Sequence, residues 1–374
     1  MIAIKNCKFF REGKLVTDSS VLIEDGLIKE ITSSSEVPEG YEVIDAQGNY
    51  ITPGLIDLQI YGSSGDLFSA YPTAETLRQM DNDLISKGTT GFLVCIPTHS
   101  LNVFADAIAA AKAYLPEAKA FLGLHLEGPY LNPSRLGAHP VEYVHKATME
   151  GVRELLSEAE GVVKMMTVAA ELQDKEVLQY ILDQGIILSL GHSDANFEQA
   201  NEAYSNGFTT TTHLFNAMPS IHHRNPNLPT AVFNHPTAMA SIIADGAHID
   251  FQIVKMSYKM MPDRLFLITD STTACSVGPY QHRLDGNKYV TPEGTISGAA
   301  ITLMKAVKNC VEHCDIPLSE ALKLASEHPA RVLKSAKNTG KLVAGNVADL
   351  LLLTDELNVR KVFVKGVEHL ISIN

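Results

Sequence analysis

The sequence has no excess of basic charge: 30 Lys and Arg stand against 43 Asp and Glu, for a formal net charge of -13. Binding a nucleic-acid backbone or an anionic bilayer needs a basic face, so neither is an expected partner. A small phosphorylated ligand needs only a few local cations and stays open. No apolar run is long enough to cross a bilayer, and Met1-Ile2-Ala3-Ile4-Lys5-Asn6 shows no basic region leading into an apolar one. Neither a membrane span nor a signal peptide is therefore expected. Cysteine is sparse. Cys7, Cys95, Cys275, Cys310 and Cys314 are odd in number and lack paired spacing, which reads as free thiols in the reducing cytoplasm. Cys310 and Cys314 lie four apart on an expected helix, where packing is a simpler reading than metal binding. No GxGxxG follows the first barrel-type strand, which removes a dinucleotide fold, and low-complexity segments are absent.

What is present is an ordinary globular composition, 45% hydrophobic and 20% charged, over 374 residues. That length fits a barrel of usual size plus a modest extra unit. The first fifty residues read as short strands and turns, with Val21-Leu22-Ile23, a Glu24-Asp25-Gly26 turn and Leu27-Ile28 forming a hairpin signal. The last stretch is similar: 348–353 and 359–364 are β-rich, and Gly366 ends the second. In between, short apolar strands at 55–60, 91–96, 120–126, 162–169, 186–190, 209–214, 240–244 and 264–268 alternate with helix-periodic stretches such as 75–86, 103–114, 152–159 and 197–204. Alternation of this kind is the signature of βα units, and eight such strands predict a closed (β/α)8 TIM-like barrel. The expected architecture is α/β: a barrel over 53–339 and a small β-sandwich domain assembled from both termini, 1–52 plus 340–374.

In such a barrel the chemistry projects from the C-terminal strand ends. Those ends read His125-Leu126-Glu127, Gly191-His192-Ser193-Asp194, Thr212-His213, Asp245-Gly246-Ala247-His248 and Thr269-Asp270-Ser271. Any one of these histidines alone is more often a hydrogen-bonded core or surface residue than a ligand. At successive strand ends they share one mouth, where Glu127, His192 and His213 suit a divalent metal with one position open for water. Asp270 is either a general base or the cap of a turn, and the metal cluster tips it towards catalysis. His139 is placed to donate to a developing oxyanion, and Arg224, in Ile221-His222-His223-Arg224-Asn225-Pro226, to meet a phosphate. Asp245 reads as a residue that orients a turn or a neighbouring group.

These motifs carry a family resemblance. Leu126-Glu127-Gly128-Pro129, Gly191-His192-Ser193, His213-Leu214-Phe215-Asn216-Ala217-Met218, Ile243-Ala244-Asp245-Gly246-Ala247-His248 and Thr269-Asp270 resemble the N-acetylglucosamine-6-phosphate deacetylases of the amidohydrolase superfamily. Thr52-Pro53-Gly54-Leu55-Ile56-Asp57, Glu327-His328-Pro329-Ala330 and Gly345-Asn346-Val347-Ala348-Asp349 extend the likeness over nearly the whole chain. The resemblance implies removal of acetate from N-acetyl-D-glucosamine 6-phosphate, in amino-sugar catabolism and cell-wall recycling. It implies Glu127, His192 and His213 as metal ligands, Asp270 as acid and base, and His139 as a further catalytic group. It also implies substrate contacts from Ala138, His139, Asn216, Ala217 and His248, with Thr302-Leu303-Met304 closing over the sugar. Arg224 is similar to the family's phosphate-binding arginine, which reaches across a dimer interface, so a homodimer with shared sites is expected.

One departure bears on the metal. Where many amidohydrolases carry His-x-His for a second ion, this chain reads Gln59-Ile60-Tyr61. Amide and phenol are poor substitutes for imidazole towards zinc, so the expectation is one divalent metal per subunit. Zn2+ is the first choice, with Fe2+, Mn2+ and Co2+ also tolerated. Gln59 is expected to line the site, and the role of Tyr61 is open. The rival readings are the galactosamine epimer of the substrate, a cyclic-amide hydrolase or deaminase of the same superfamily, and a noncatalytic metal-binding barrel.

Overall fold

The structure, a computed structural model, describes residues 1–333 and 338–371. Residues 334–337 of the expected barrel segment and 372–374 of the expected sandwich segment lie outside the described residues.

The eight expected barrel strands are β1 (Leu55–Ile60), β2 (Thr89–Pro97), β3 (Phe121–Glu127), β4 (Val163–Val168), β5 (Ile187–Leu190), β6 (Thr210–Thr211), β7 (Met239–Ile243) and β8 (Leu265–Ile268). They pair in parallel and in sequence order. The ring closes between β8 and β1, where Asp270 N donates to Gln59 O (3.0 Å) and Tyr61 N donates to Ser271 O (2.9 Å). A helix follows each strand: α1 (Ala74–Ser86), α2 (Leu101–Tyr114), α3 (Met149–Leu155), α4 (Lys175–Asp183), α5 (Phe197–Ser205), α6 (Leu228–Asn234), α7 (Phe251–Met260) and α8 (Leu303–His313), the last succeeded by two shorter helices, Leu318–Ala325 and Glu327–Val332. The third helix begins earlier than the sequence pattern suggests, because the Thr148 side chain caps it by accepting from Gly151 N. It ends at Leu155, and the rest of the expected stretch turns back towards β4.

Continuous apolar runs form these strands because both faces are buried. Successive side chains point to opposite faces, so alternate residues divide between two cores. Phe266 and Ile268 fill the barrel interior with Ile56, Leu58, Met165 and Ile243, whereas Leu265 and Leu267 pack outwards under the helices. Nearer the C-terminal mouth the interior turns polar. His125 bridges Leu58 O and Thr167 Oγ1, and Thr167 Oγ1 continues through Thr212 Oγ1 to Ser189 Oγ at 2.7 and 2.6 Å. Cys310 and Cys314 are buried packing residues of the outer core, as expected.

The terminal strands form a separate sheet. Its order is 367–369, 359–364, 350–353, 50–53, 2–11, 14–24 and 27–33, with 42–45 pairing beside 2–11. The expected hairpin is present, and both residues of its turn, Asp25 and Gly26, have the positive φ that a tight hairpin turn requires (49° and 77°). The halves of this sheet pair at Lys8 and Tyr50, are also bridged at Leu27 and Val347, and enclose a common core of Ile4, Phe9, Val21 and Ile28 from one side and Leu350, Leu352 and Phe363 from the other.

Candidate active site

Glu127 is the last residue of β3, beside Thr167 of β4 and Pro97 of β2. His192, His213 and Asp270 each stand just beyond the end of their strand, and all three have a left-handed backbone, with φ of 47°, 30° and 55°. Phe215 (77°) and Ala217 (50°) share it. Non-glycine residues adopt this region at a cost of about 1–3 kcal/mol each, so the concentration here marks backbone bent to aim side chains. Gly137 (φ 61°) allows the loop after β3 to pass under His192; a Cβ there would lie 3.3 Å from His192 Cε1.

Glu127 is the hub. His213 Nε2 lies 3.1 Å and His192 Nε2 3.4 Å from Oε1, His139 Nε2 lies 3.1 Å from Oε2, and the two imidazole Nε2 atoms of His192 and His213 are 3.1 Å apart. Metal-capable atoms of Glu127, His139 and His192 all fall within 4.8 Å of one another. A tetrahedral ion with bonds of about 2.0–2.1 Å spaces its donors roughly 3.3 Å apart, which is the spacing in the Glu127, His192 and His213 set. The tautomer of His192 fits too. Its Nδ1 donates to Arg135 O at 2.8 Å, which leaves Nε2 as a lone pair facing the hub.

The electrostatics agree with a cation-binding cluster. Burial alone would raise the Glu127 carboxyl, but the facing His192 and His139 hold it well below the usual carboxylate range. Burial, then the charge of His139, push His192 down to about 4. For His213 burial acts in the same direction, yet the hydrogen bond and charge of Glu127, together with Asp270, outweigh it and raise the ring. The two rings differ in how strongly Glu127 acts against burial. Two facing Nε2 atoms cannot both present lone pairs to each other at 3.1 Å unless a cation or a proton stands between them.

Gln59 and Tyr61 reach the same carboxylate. Gln59 Nε2 donates to Glu127 Oε1 (2.9 Å) and to Tyr61 Oη (2.8 Å), and Tyr61 Oη donates to Glu127 Oε2 (2.5 Å). A register shift in β1 between Asp57 and Ile60 explains how. Ile56 and Leu58 face the barrel interior, the bulge reverses the alternation, and Ile60 packs outwards while Gln59 and Tyr61 turn in.

Asp270 Oδ1 lies 3.3 Å from Tyr61 Oη, whose proton is already engaged by Glu127, so the carboxylate is free to accept another. It caps no turn; Thr269 Oγ1 accepts from Ser271 N instead. Burial raises its pKa, opposed by His213 and His248. His248 Nε2 stands 3.8 Å from Asp270 Oδ2, and its Nδ1 is held by Asp245 Oδ2 at 2.6 Å, the orienting role expected of Asp245.

Tyr61, Glu127, His139, His192, His213, His248 and Asp270 line one cavity of about 160 Å3, together with Gly137, Ala138, Asn216 and Ala217. Gln59, expected to line the site, does not reach this cavity, because its amide is engaged by Glu127 and Tyr61. A larger cavity, about 570 Å3, lies between the terminal sheet and residues 319–327 and contains none of these groups. Arg224 is exposed and does not line the site cavity of its own chain. The structure does not bring Thr302, Leu303 and Met304 there either. Thr302 caps α8 by accepting from Lys305 N, and Leu303 and Met304 are drawn into the outer core by their apolar side chains. That wall of the cavity comes from Tyr280, His282, Ile296 and Ser297. They belong to an excursion between β8 and α8 that carries the small strands Arg283–Asp285, Lys288–Val290 and Ile296–Ala299. The sequence reading missed them. The available signal was length, since the connection far exceeds the usual roughly 2–6 residues of a βα loop.

A closed barrel whose C-terminal mouth gathers a carboxylate, facing imidazoles and a free aspartate is the framework of a metal-dependent hydrolase. The Amidohydrolase family model matches residues 50–368. The chain is 34% identical over 375 residues to the N-acetylglucosamine-6-phosphate deacetylase of Haemophilus influenzae, covering 97% of this chain and 98% of that one. It is 30% identical over 388 residues to the same-named protein of Bos taurus, covering 98% and 95%. The crystal structure of N-acetylglucosamine-6-phosphate deacetylase from Pasteurella multocida superimposes with a TM-score of 0.94 at 31% identity over 99% of both chains. An aspartate-to-alanine mutant of the Mycobacterium smegmatis deacetylase, in complex with N-acetyl-D-glucosamine-6-phosphate, superimposes with a TM-score of 0.90 at 25% identity over 99% of both. The chain belongs to the amidohydrolase family, a family of metal-dependent hydrolases, and within it to the N-acetylglucosamine-6-phosphate deacetylases. Among the described residues no helix is long and apolar enough to cross a membrane.

Proposed function

We propose that this chain hydrolyses the acetamide of N-acetyl-D-glucosamine 6-phosphate, releasing acetate and D-glucosamine 6-phosphate. The observation that carries the reading is the free Asp270 carboxylate sharing one cavity with the Glu127, His192 and His213 cluster. Those three residues are the ligands of a single divalent ion, Zn2+ first, with Fe2+, Mn2+ or Co2+ compatible with the same donors. When bound, the ion supplies a Lewis acid that polarises a carbonyl and lowers the pKa of water. Asp270 takes the proton of the attacking water and returns it to the departing amine. His139, which meets Oε2 of Glu127 while His192 and His213 face Oε1, faces the carbonyl oxygen as it gains charge. His248, set by Asp245, leaves a 3.8 Å gap to Asp270 that suits a sugar hydroxyl. Ala138, Asn216 and Ala217 complete the substrate wall, and Gln59 holds the Glu127 carboxylate from behind it.

The phosphate has no arginine in the cavity of its own chain, which supports a homodimer in which Arg224 of the partner subunit completes the site. The domain division is 1–52 plus 340–374 for the sandwich and 53–339 for the barrel. A phosphorylated sugar does not cross bilayers unaided, which supports a cytoplasmic setting. The test is steady-state hydrolysis of N-acetylglucosamine 6-phosphate and its galactosamine epimer, with metal analysis of the same sample. Turnover of neither sugar by the loaded protein rejects the reading; preference for the galactosamine substrate corrects it.

A further inference from the structure

Tyr280 lies in the excursion after β8, and its buried hydroxyl touches two groups. Its Oη donates to Thr98 O at 2.6 Å and lies 2.9 Å from His139 Nδ1. A backbone carbonyl only accepts, so the single phenolic proton belongs to the Thr98 contact. At the other contact Oη must be the acceptor, and His139 Nδ1 must carry the proton. We propose that Tyr280 is a positioning residue for His139: by committing its own proton to Thr98, it fixes the imidazole with Nδ1–H turned away from the site and Nε2 turned towards Glu127 and the reacting carbonyl. This rests on the hydrolytic reading above, in which His139 faces the amide.

The arrangement goes beyond packing. Phenylalanine would fill the same core volume, yet here the hydroxyl is held between a backbone carbonyl and a ring that stands 3.1 Å from Glu127 Oε2. Burial raises the Tyr280 phenol well above its ordinary value, so it keeps the proton the argument requires. The His139 ring also meets Tyr280 edge-on at 6.0 Å and His192 at 4.5 Å, which leaves little freedom to flip. Two residues on, His282 Nδ1 bonds Ser297 Oγ at 2.8 Å, tying the Tyr280 segment to the strand that forms the cavity wall. A substrate seated against that wall and the ring facing its carbonyl therefore rest on one piece of backbone.

The test uses zinc-loaded full-length protein labelled with 15N at histidine. Long-range 15N–1H correlation reports which ring nitrogen is protonated, and the His139 signals are those lost in His139→Gln. The expected result is a proton on Nδ1 of His139; a neutral ring protonated at Nε2 overturns the proposal without any variant. In Tyr280→Phe the Nδ1–H signature is expected to weaken or move to Nε2, with kcat falling by about 10–100-fold while KM stays within about threefold. An unchanged tautomer or an unchanged kcat in that variant overturns the proposal. Failure of the wild type to hydrolyse the sugar would reject the reaction reading instead, since the tautomer is measured without turnover.

Discussion

Tyr61 Oη lies 2.5 Å from Glu127 Oε2, on the same carboxylate whose Oε1 faces His192 and His213. A phenol and an amide thus occupy the position from which imidazoles would hold a second ion. The dialysed protein should retain about one divalent ion per chain, measured by elemental analysis. Replacing both, Gln59→His with Tyr61→His, should move the content towards two. A wild type that already holds two would remove the single-metal assignment.

Asp270 approaches the cluster without being one of its donors, so its loss should separate chemistry from metal binding. Asp270→Asn should lower kcat by at least about 10²-fold with metal content near that of the wild type. His192→Asn should do the opposite first: removal of an Nε2 donor oriented by Arg135 O should empty the site. Full metal occupancy in His192→Asn, or full turnover in Asp270→Asn, would contradict these roles.

The sequence revealed the barrel strands because burial on both faces leaves continuous apolar runs, and their ends because polar residues interrupt those runs abruptly. Glu127, His192, His213 and Asp270 converge in the cavity as their strand-end positions implied, joined by His139 from the loop after Glu127. The role of Tyr61 was hidden by parity. Nothing in Leu55-Ile56-Asp57-Leu58-Gln59-Ile60-Tyr61 announces that the alternation reverses at a bulge. Thr302, Leu303 and Met304 lie outside the cavity lining: a helix start with two apolar residues looks much the same in sequence whether it faces a ligand or a core. Tyr280, His282 and Ser297 gain their meaning only from tertiary contacts with Thr98, His139 and each other. No local pattern encodes those contacts.

Asp57, buried where the barrel closes, should make stability pH-dependent. It is buried at the β1–β8 seam, where it accepts from Thr269 N, Thr269 Oγ1 and Gln59 N, and burial pushes its carboxyl up to about 7 despite those bonds. The folded state thus holds the proton more tightly than the unfolded chain, whose value is near 3.9. Its contribution to stability is fully present below the unfolded value and is lost as pH rises through about 7. Asp57→Asn, which cannot ionise, should gain stability relative to the wild type between pH 4 and 7 and hold that difference above. Denaturant unfolding at pH 5 and pH 8 measures it; a difference that does not change with pH, or changes in the other direction, would show that Asp57 ionises normally.

Arg224 and Asp270 allow the shared site to be tested without a structure of the dimer. Arg224 is exposed on its loop and absent from the lining of its own cavity, whereas Asp270 lies inside. Arg224→Ala should raise KM for the phosphorylated sugar by about tenfold or more, since a charge-assisted hydrogen bond is worth about 1.5–3 kcal/mol, and should leave the unphosphorylated sugar nearly unaffected. If the arginine acts across an interface, subunits of Arg224→Ala and Asp270→Asn should complement each other. In a hybrid dimer the Arg224→Ala subunit keeps its own Asp270 and receives an intact Arg224 from its neighbour, so one of the two sites is whole. Random assembly makes half of the dimers hybrid, so at substrate well below the wild-type KM co-expression should recover about a quarter of wild-type activity, against about a twentieth or less from an equal mixture of the preformed parent dimers. Recovery no greater than the sum of the parents would place Arg224 in its own subunit's site or outside the reaction altogether.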